Sequence, residues 1–215
     1  DDRCLMERTF TTDRAHNAAI FDPLAELLEA LTSPLEWIVV GTGPGSYSGV
    51  RVGIAVANGL AVAHDVPTFG WPSLAAVELG AGPALAVGDA RRKSFFTVSL
   101  NGEGELEAAP EVLPREILEA RVAAAQKAGL PVFTIDPVAP AEVEGVSCLQ
   151  PTAVLLARRA AGISVGERTR LAGLPLEPIY VREPHITKAK PRTGPGQFRH
   201  GPIQDADVEA VPPSR

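Results

Sequence analysis

The fold is decided by nine residues, Gly41-Thr42-Gly43-Pro44-Gly45-Ser46-Tyr47-Ser48-Gly49, which form a sharply turning loop because four are glycine and one is proline. Before this loop, Trp37–Val40 is a continuous apolar run of strand length, typical of a strand buried on both faces. After it, a long helix of small residues runs from about Ser48 to His64, and Thr68–Trp71 returns as a short strand. The order of strand, loop, helix and strand predicts a parallel α/β core.

A glycine-rich turn between a buried strand and a helix N-terminus suits an anion, because backbone N–H groups point outward and the helix dipole is positive there. The residues that a phosphate would meet are Gly41, Gly43, Gly45, Ser46, Ser48, Gly49 and Arg51. The loop lacks the P-loop pattern, has Ser46 at the third glycine position of a dinucleotide loop, and has Tyr47 where a nucleophile elbow has serine. Two interpretations stay open: phosphate contact, or glycines that only permit the turn and close helix packing.

Two helices carry features of a subunit interface. One has an apolar face at helical spacing, and the other, the helix after the loop, has small residues every four positions. The predicted interface residues are Ile20, Leu24, Leu27 and Leu31 on one helix and Gly53, Ala57 and Ala61, the first small-residue row, on the other. The second small-residue row consists of Ala55, Gly59 and Ala63. The open alternative is a slim helix that packs only within its own chain.

The chain as a whole predicts two lobes and a tail. The boundary is Gly80-Ala81-Gly82-Pro83, so that residues 1–80 form the first lobe and residues 81–182 the second. Residues 183–215 form an irregular Pro/Gly-rich tail, and a return of the last helix to the first lobe is left open. The predicted strands are Leu5–Phe10, Ala84–Gly88, Phe95–Leu100 and Pro131–Ile135, and the further predicted helices are Leu74–Leu79, Pro114–Ala128 and Pro151–Ala161.

Composition narrows the class of protein. The 215 residues are 45% hydrophobic and 21% charged, which is typical of a soluble globular protein. A net charge of −6 argues against a free-standing nucleic-acid binder. Two cysteines are too few for a disulfide framework or a cysteine-based zinc site, and favour a reducing, cytoplasmic compartment. No uncharged run is long enough to span a membrane, and the four histidines form no pair at metal-binding spacing.

The run Val40–Ala55 resembles G-x-G-P-G-S-[FY]-[ST]-G-[LV]-R-[IV]-G, the hallmark of the TsaB (YeaZ) family. The small-residue helix up to Pro67, the turn Asp89-Ala90-Arg91-Arg92 and the late segment Pro178–Arg182 extend this resemblance along most of the chain. The resemblance implies an α/β fold of the actin-like (ASKHA, ribonuclease H-like) type with two lobes. It also implies a place in the machinery that adds threonylcarbamoyl to the adenosine beside the tRNA anticodon.

In that machinery the TsaD paralogue carries the metal and the transferase chemistry, TsaE is an ATPase, and TsaB is a dimerisation partner and scaffold. The metal-binding histidines of the paralogue fall here on about Ser73 and Val77, which cannot hold a metal. The resemblance therefore implies no catalytic residue, no metal and no intrinsic cofactor, with nucleotide binding left open. The implied partners are a TsaD-like catalytic subunit and a TsaE-like ATPase, with a homodimer also open, tRNA reached indirectly and no membrane contact.

The start of the chain departs from this family pattern. The family begins with a strand and a polar Asp-Thr-Ser-like turn, whereas Asp1 corresponds to the hairpin after that strand. We expect a sheet without its N-terminal strand or strands and a phosphate cleft with one wall. Two other functions are kept: an actin-fold ATP-binding phosphotransferase or ATPase that uses the glycine loop, and a glycoprotease-like metallopeptidase, which the missing metal ligands disfavour.

Overall fold

The computed structural model describes residues 3–10, 17–80 and 82–182, and shows a mixed α/β fold with two sheets. The first sheet has two parallel strands, β1 (Ile38–Gly41) and β2 (Thr68–Trp71), in the register Ile38 to Thr68. The helix that connects these strands had to cross from one end of the sheet to the other, because parallel strands cannot be joined by a tight turn. The first sheet and its crossover helix thus form the predicted parallel α/β unit.

This crossover helix spans Tyr47–His64. It begins where the side chain of Ser46 accepts a hydrogen bond from the backbone N–H of Gly49, which satisfies one of the free donors of the first turn. It ends at Asp65, which adopts a left-handed conformation with φ of 53°. The sequence prediction of a helix from about Ser48 to His64 is confirmed.

The second sheet has five strands. Its central strand Ala84–Asp89 pairs antiparallel with Phe95–Leu100 on one side and parallel with Val132–Thr134 on the other. The strands are β3 (Ala84–Asp89), β4 (Phe95–Leu100), β5 (Glu111–Leu113), β6 (Val132–Thr134) and β7 (Ser147–Cys148), in the spatial order β5-β4-β3-β6-β7. Strands β5 and β7 lie at the edges, with β5 antiparallel to β4 and β7 parallel to β6.

Five helices accompany the two sheets in the described part of the chain. They are α1 (Phe21–Glu29), α2 (Tyr47–His64), α3 (Arg115–Lys127), α4 (Ala153–Gly162) and α5 (Val165–Ala172). Helix α3 packs against β4 and β6, and buries Leu118 and Val122 beneath it. Although they come late in the chain, α4 lies against β1 and α5 against β2. None of the helices in these ranges is long and apolar enough to cross a membrane.

Three clusters of buried side chains form the core. One cluster lies under the first sheet, where Phe69 and Trp71 of β2 meet Leu156 of α4. The second lies between β3 and α3, and includes Val87 and Leu118. The third lies on the other face of the second sheet and joins residues from both sides of position 80; its buried members are Leu74, Val77, Ala84, Ala86, Ala90, Phe96, Val98, Leu100 and Phe133. The division into lobes at residues 80 and 81 stays a prediction.

Two sequence predictions of secondary structure are wrong. Leu5–Phe10 forms no strand, because no strand within the described residues pairs with it, and most of its residues are exposed. Leu74–Leu79 forms a single turn of 3-10 helix at Ser73–Ala75 instead of an α-helix. All residues from Leu74 to Val77 are buried, which fills the core in a compact turn with no solvent face for an amphipathic helix.

Strand β1 also differs from its prediction. The apolar run Trp37–Val40 indicated a strand buried on both faces, but all four residues of β1 are half-buried. Within the described ranges β1 pairs only with β2, so one side of the strand has no neighbouring strand to cover it. The predicted tail, 183–215, lies outside the described residues. So do residues 11–16, which precede the predicted helix that carries Ile20 and Leu31.

Candidate functional site

The first half of the glycine loop is buried and held from both sides. The backbone N–H of Thr42 donates to the carbonyl of Trp71 at 2.8 Å, which continues the pairing of β1 with β2 past the end of the strand. The backbone N–H of Gly43 donates to the hydroxyl of Ser73 at 3.1 Å, and the N–H of Ser73 donates back to the carbonyl of Gly43 at 2.8 Å. This reciprocal pair fixes the loop to the turn after β2.

A late segment of the chain closes the loop from the opposite side. The backbone N–H of Ile179 donates to the carbonyl of Thr42 at 2.8 Å. At Gly43, φ is +98° and an added Cβ would lie 3.2 Å from the carbonyl oxygen of Ile179. Position 43 therefore needs glycine for two reasons: an L side chain strains this backbone conformation, and the late segment leaves it no room.

The second half of the loop is exposed and forms the N-terminus of α2. Residues Gly45 to Gly49 are exposed, whereas Thr42, Gly43 and Pro44 are buried. The Arg51 guanidinium contacts the hydroxyl of Tyr47 and lies over its ring, with Cζ 5.1 Å from the ring centroid. Exposed backbone donors at a helix N-terminus beside an arginine suit a negatively charged group.

The structure therefore divides the predicted phosphate loop into two parts. Gly41 lies in β1, the N–H of Gly43 is used by Ser73, and the N–H of Gly49 is used by Ser46. The part that still faces solvent consists of Gly45, Ser46, Tyr47, Ser48, Gly49 and the side chain of Arg51. Phosphate contact stays a prediction, now restricted to this exposed part.

Two tyrosines far apart in sequence meet beside the loop. The rings of Tyr47 and Tyr180 stack with centroids 5.3 Å apart and planes inclined by 27°. Their exposed fractions are 46% and 38%. The sequence pointed separately to the glycine loop and to the segment Pro178–Arg182, and the structure brings the two together through this stack and the Ile179–Thr42 hydrogen bond.

The sequence did not reveal that Ser73 and Tyr180 lie against the loop. Ser73 stands at one of the two positions discussed for a metal ligand, and its hydroxyl anchors the loop. A serine two residues after a buried strand was the available signal, because such a residue lies at the same sheet edge as the loop after the neighbouring parallel strand. For Tyr180 the only signal was an aromatic residue in an irregular segment.

The first small-residue row faces the chain's own sheet. Ala57 is buried at 4% exposure, and a Cβ added at Gly53 would lie 3.7 Å from Cγ2 of Val40 in β1. Ala61, the third residue of the row, is half-buried. This orientation follows from the crossover, since one face of α2 must cover β1. Ala57 is thus already buried within this chain and has almost no surface left to give a second subunit.

The second small-residue row faces outward. Ala55, Gly59 and Ala63 are exposed, and an added Cβ at Gly59 would meet no atom within 4 Å. The neighbouring Val62 is 85% exposed, the highest value among the large apolar side chains described as exposed. An exposed valine among small residues gives α2 an apolar outer face that a close-packing neighbour would fit.

Helix α1 is amphipathic but buries little of its apolar face. Not one of its nine residues is buried in the described structure. Ile20, Leu24 and Leu27 are half-buried, and Leu31 is exposed at 36%. The helix is tied to the preceding segment by an ion pair between Arg8 and Glu26 at 2.7 Å. The structure places the predicted α1 residues on a surface, and whether they contact a subunit stays a prediction.

The charged turn between β3 and β4 is built as a hairpin tip. The backbone N–H of Arg91 donates to Oδ1 of Asp89 at 2.7 Å, and the N–H of Asp89 donates to Oδ2 of Asp136 at 2.7 Å. Arg91, Arg92 and Lys93 all have φ between 56° and 65° and are exposed. Asp89 uses its carboxylate to stabilise this left-handed turn. This structural role is sufficient to explain an aspartate at position 89.

In residues 3–10, 17–80 and 82–182, no three His, Cys, Asp or Glu side chains come together as a metal site. Val77, at one of the two positions discussed for a metal ligand, is 2% exposed in the core. The pKa of Glu167 is lowered because Arg170 donates to its carboxylate, and this pair lies on the surface of α5. Such an i,i+3 pair supports a helix.

One protein family and several known proteins are similar to this chain. The model of the family described as TsaD: tRNA N6-adenosine threonylcarbamoyltransferase matches residues 10–144. An uncharacterized protein of Mycobacterium tuberculosis is 30% identical over 184 residues, which are 84% of this chain and 81% of that protein. The tRNA threonylcarbamoyladenosine biosynthesis protein TsaB of Escherichia coli is 31% identical over 122 residues, 51% of this chain and 53% of that protein.

A solved structure also resembles this chain. YeaZ from Pseudomonas aeruginosa is similar with a TM-score of 0.56 and 26% sequence identity, and the match covers 77% of this chain and 85% of the YeaZ chain. The resemblance drawn from Val40–Ala55 is thereby confirmed, and with it the actin-like (ASKHA) fold. The chain belongs to the TsaD family and is a TsaB/YeaZ-like member of it.

Proposed function

We propose that this chain is a non-catalytic subunit of the complex that places threonylcarbamoyl on the adenosine beside the tRNA anticodon. It pairs with a TsaD-like catalytic subunit, and a TsaE-like ATPase acts in the same cytoplasmic assembly. The family and the name of the Escherichia coli relative support the pathway. The single observation that carries the scaffold role is the pair of apolar helix surfaces, on α1 and on the outer face of α2, that the described residues leave uncovered.

The pairing surface we propose differs in part from the one that the sequence indicated. Ile20, Leu24, Leu27 and Leu31 of the α1 region remain in it, since none of them is buried. On α2, the second small-residue row replaces the first, because Ala57 already covers β1. Gly59 and the other small side chains let a neighbouring helix approach α2 closely, and Val62 adds apolar area.

The mechanism is a shift in the partner's conformational equilibrium. A subunit that binds one conformation of its partner more tightly than another raises the population of the first, by as much as its affinities differ. Such a subunit needs a stable, complementary surface and no catalytic group of its own. In the described chain the glycine loop is held by Trp71, Ser73 and Ile179, which supports a rigid platform for α2.

The test is native mass spectrometry of the chain alone and mixed with a TsaD-type subunit, followed by a tRNA threonylcarbamoylation assay. We expect a one-to-one heterodimer in excess over any homodimer, and modification that depends on both chains. Leu24→Asp should remove the heterodimer. Ala25→Asp adds the same charge to α1 but should keep the heterodimer, because Ala25 is exposed on the other face of the helix. No heterodimer with a folded chain would refute the proposal.

Calorimetry with ATP separates the proposal from the ATP-binding phosphotransferase. Tight ATP binding that is lost in Arg51→Ala would favour the enzyme, since Arg51 is the cation at the exposed end of the loop. The geometry gives the enzyme less support, because the hydroxyls of Ser73 and Ser46 already take the N–H groups of Gly43 and Gly49.

A further inference from the structure

Beside the glycine loop, two stacked tyrosine rings and one arginine lie against one another, and we call them the aromatic column: Tyr47, Tyr180 and Arg51. The guanidinium of Arg51 lies over the Tyr47 ring at 5.1 Å, and the Tyr47 ring stacks on Tyr180 at 5.3 Å. Both rings are more than one-third exposed, and Arg51 is exposed. A stack that served only to pack the late segment against the loop would bury its rings more fully, since burial is what stabilises an aromatic contact.

The aromatic column is held in place before any ligand arrives. Tyr47 is the first residue of α2, directly after the cap Ser46, and its hydroxyl contacts Arg51 one turn later. Tyr180 is fixed by its neighbour Ile179, whose N–H donates to Thr42 at 2.8 Å. Groups that are already ordered lose little conformational entropy on binding, which favours a functional surface over a fluctuating one.

Charge around the aromatic column favours an anionic ligand. The segments 43–56 and 175–182 contain two cations, Arg51 and Arg182, and one acid, Glu177, in a chain whose net charge is −6. Among the described ion pairs, neither arginine has a carboxylate partner. The exposed backbone at the start of α2 adds the positive end of the helix dipole at the same place.

We propose that the aromatic column binds an unpaired base of single-stranded RNA, with the adjacent phosphate at Arg51 and the start of α2. Proteins recognise unpaired RNA bases by stacking them on tyrosine rings and on arginine guanidinium planes, and hold the backbone with nearby cations. The column offers tyrosine rings for stacking and the guanidinium of Arg51 as the cation. This inference rests on the proposed function, which supplies an RNA, and adds a contact by which the scaffold subunit touches that RNA directly.

The test is fluorescence anisotropy of a fluorescein-labelled, seven-nucleotide single-stranded RNA titrated with the full chain at low salt. We expect saturable binding that Tyr47→Ala weakens by about 5- to 150-fold, the range for removing one aromatic stacking partner. Tyr47→Phe keeps the ring and should bind within about threefold of the parent chain, because the base loses no stacking surface. Arg92→Ala, which removes an exposed cation from the β3–β4 turn, is the charge-matched control for Arg51→Ala and should not alter binding.

Three results would overturn the inference. They are the absence of saturable binding, equal binding by Tyr47→Ala and the parent chain, and displacement of the RNA by equimolar AMP, which would assign the column to a free nucleotide. Thermal unfolding of each variant establishes that it is folded.

The same variants are mixed with the TsaD-type subunit: if Tyr47→Ala loses pairing and the parent chain binds no RNA, the column belongs to the protein interface. RNA binding through Tyr47 without any pairing would instead refute the proposed function alone.

Discussion

Replacing Gly59 by leucine tests the outer face of α2 most directly. Gly59 lies in the middle of the helix, and an added Cβ meets no atom within 4 Å. Glycine in a helix interior costs about 1 kcal/mol relative to alanine, and leucine is nearly as good a helix former as alanine. Gly59→Leu should therefore stabilise the isolated chain by about 0.5–1 kcal/mol, a rise of about 1–4 °C in Tm for a domain of this size.

The same substitution should weaken pairing. A leucine at Gly59 holds a neighbouring helix away from the surface that the small residues leave open, and we expect at least about a tenfold loss of affinity, about 1.4 kcal/mol. Ala57→Leu is the matched variant on the other face of α2. Because Ala57 is 4% exposed against β1, its enlargement overpacks the core and should cost about 1–3 kcal/mol of stability.

The assay measures both quantities on both variants: urea or thermal unfolding of the chain alone, and affinity for the TsaD-type subunit by calorimetry. The reasoning predicts opposite signs, with Gly59→Leu more stable and poorly paired and Ala57→Leu less stable. A Gly59→Leu chain that pairs like the parent would refute the proposed face. An Ala57→Leu chain that folds like the parent but does not pair would return the interface to the first small-residue row.

Three further predictions concern the loop and α5. Ser73→Ala leaves the buried N–H of Gly43 without its acceptor and should cost about 1–2 kcal/mol in urea unfolding at an unchanged m-value, whereas Ser73→Thr, which keeps the hydroxyl, should cost less. Gly43→Ala should cost about 1–3 kcal/mol from backbone strain, with a further loss from displacing Ile179, and a purely local effect that leaves the amide exchange of Ile179 unchanged would contradict it. The pKa of Glu167 is lowered because Arg170 donates to its carboxylate, so this pairing stabilises α5 at neutral pH and is lost in acid as the carboxylate becomes protonated. NMR should show α5 fraying as the pH falls through that lowered pKa, and Glu167→Gln should remove that pH dependence.

The sequence predicted the elements whose signals are local. The glycine loop, flanked by an apolar run and a small-residue helix, gave the β1–α2–β2 unit, and the polar turn Asp89–Lys93 between two strand-like runs gave the β3–β4 hairpin. The helices α3 and α4 followed from periodicity, and Pro114 and Thr152 mark their starts in the structure. Each of these signals lies within one continuous stretch of the chain, which is why a single sequence carries it.

The features that the sequence did not reveal depend on contacts between distant segments. Which face of α2 lies inward is set by β1, and both small-residue rows satisfy the same spacing, so the pattern alone could not choose between Ala57 and Gly59. The helix α5 was not predicted, since its eight residues follow α4 after only a short turn and include none that is buried. The carbonyl of Thr42 accepts a hydrogen bond from the backbone N–H of Ile179, and a backbone hydrogen bond leaves no trace in the amino-acid sequence.

The hydrogen bond between Ile179 and Thr42 has a consequence for synthesis on the ribosome. The two residues are separated by roughly 140 positions, and translation at about 5–20 residues per second separates their appearance by about 7–30 s. During that interval the glycine loop lacks its last support, and β1 and β2 lack α4 and α5. The nascent first sheet thus exposes apolar surface until the segment Ala153–Ile179 has been synthesised, and slow translation of that segment would lengthen the interval in which the sheet can misfold or aggregate.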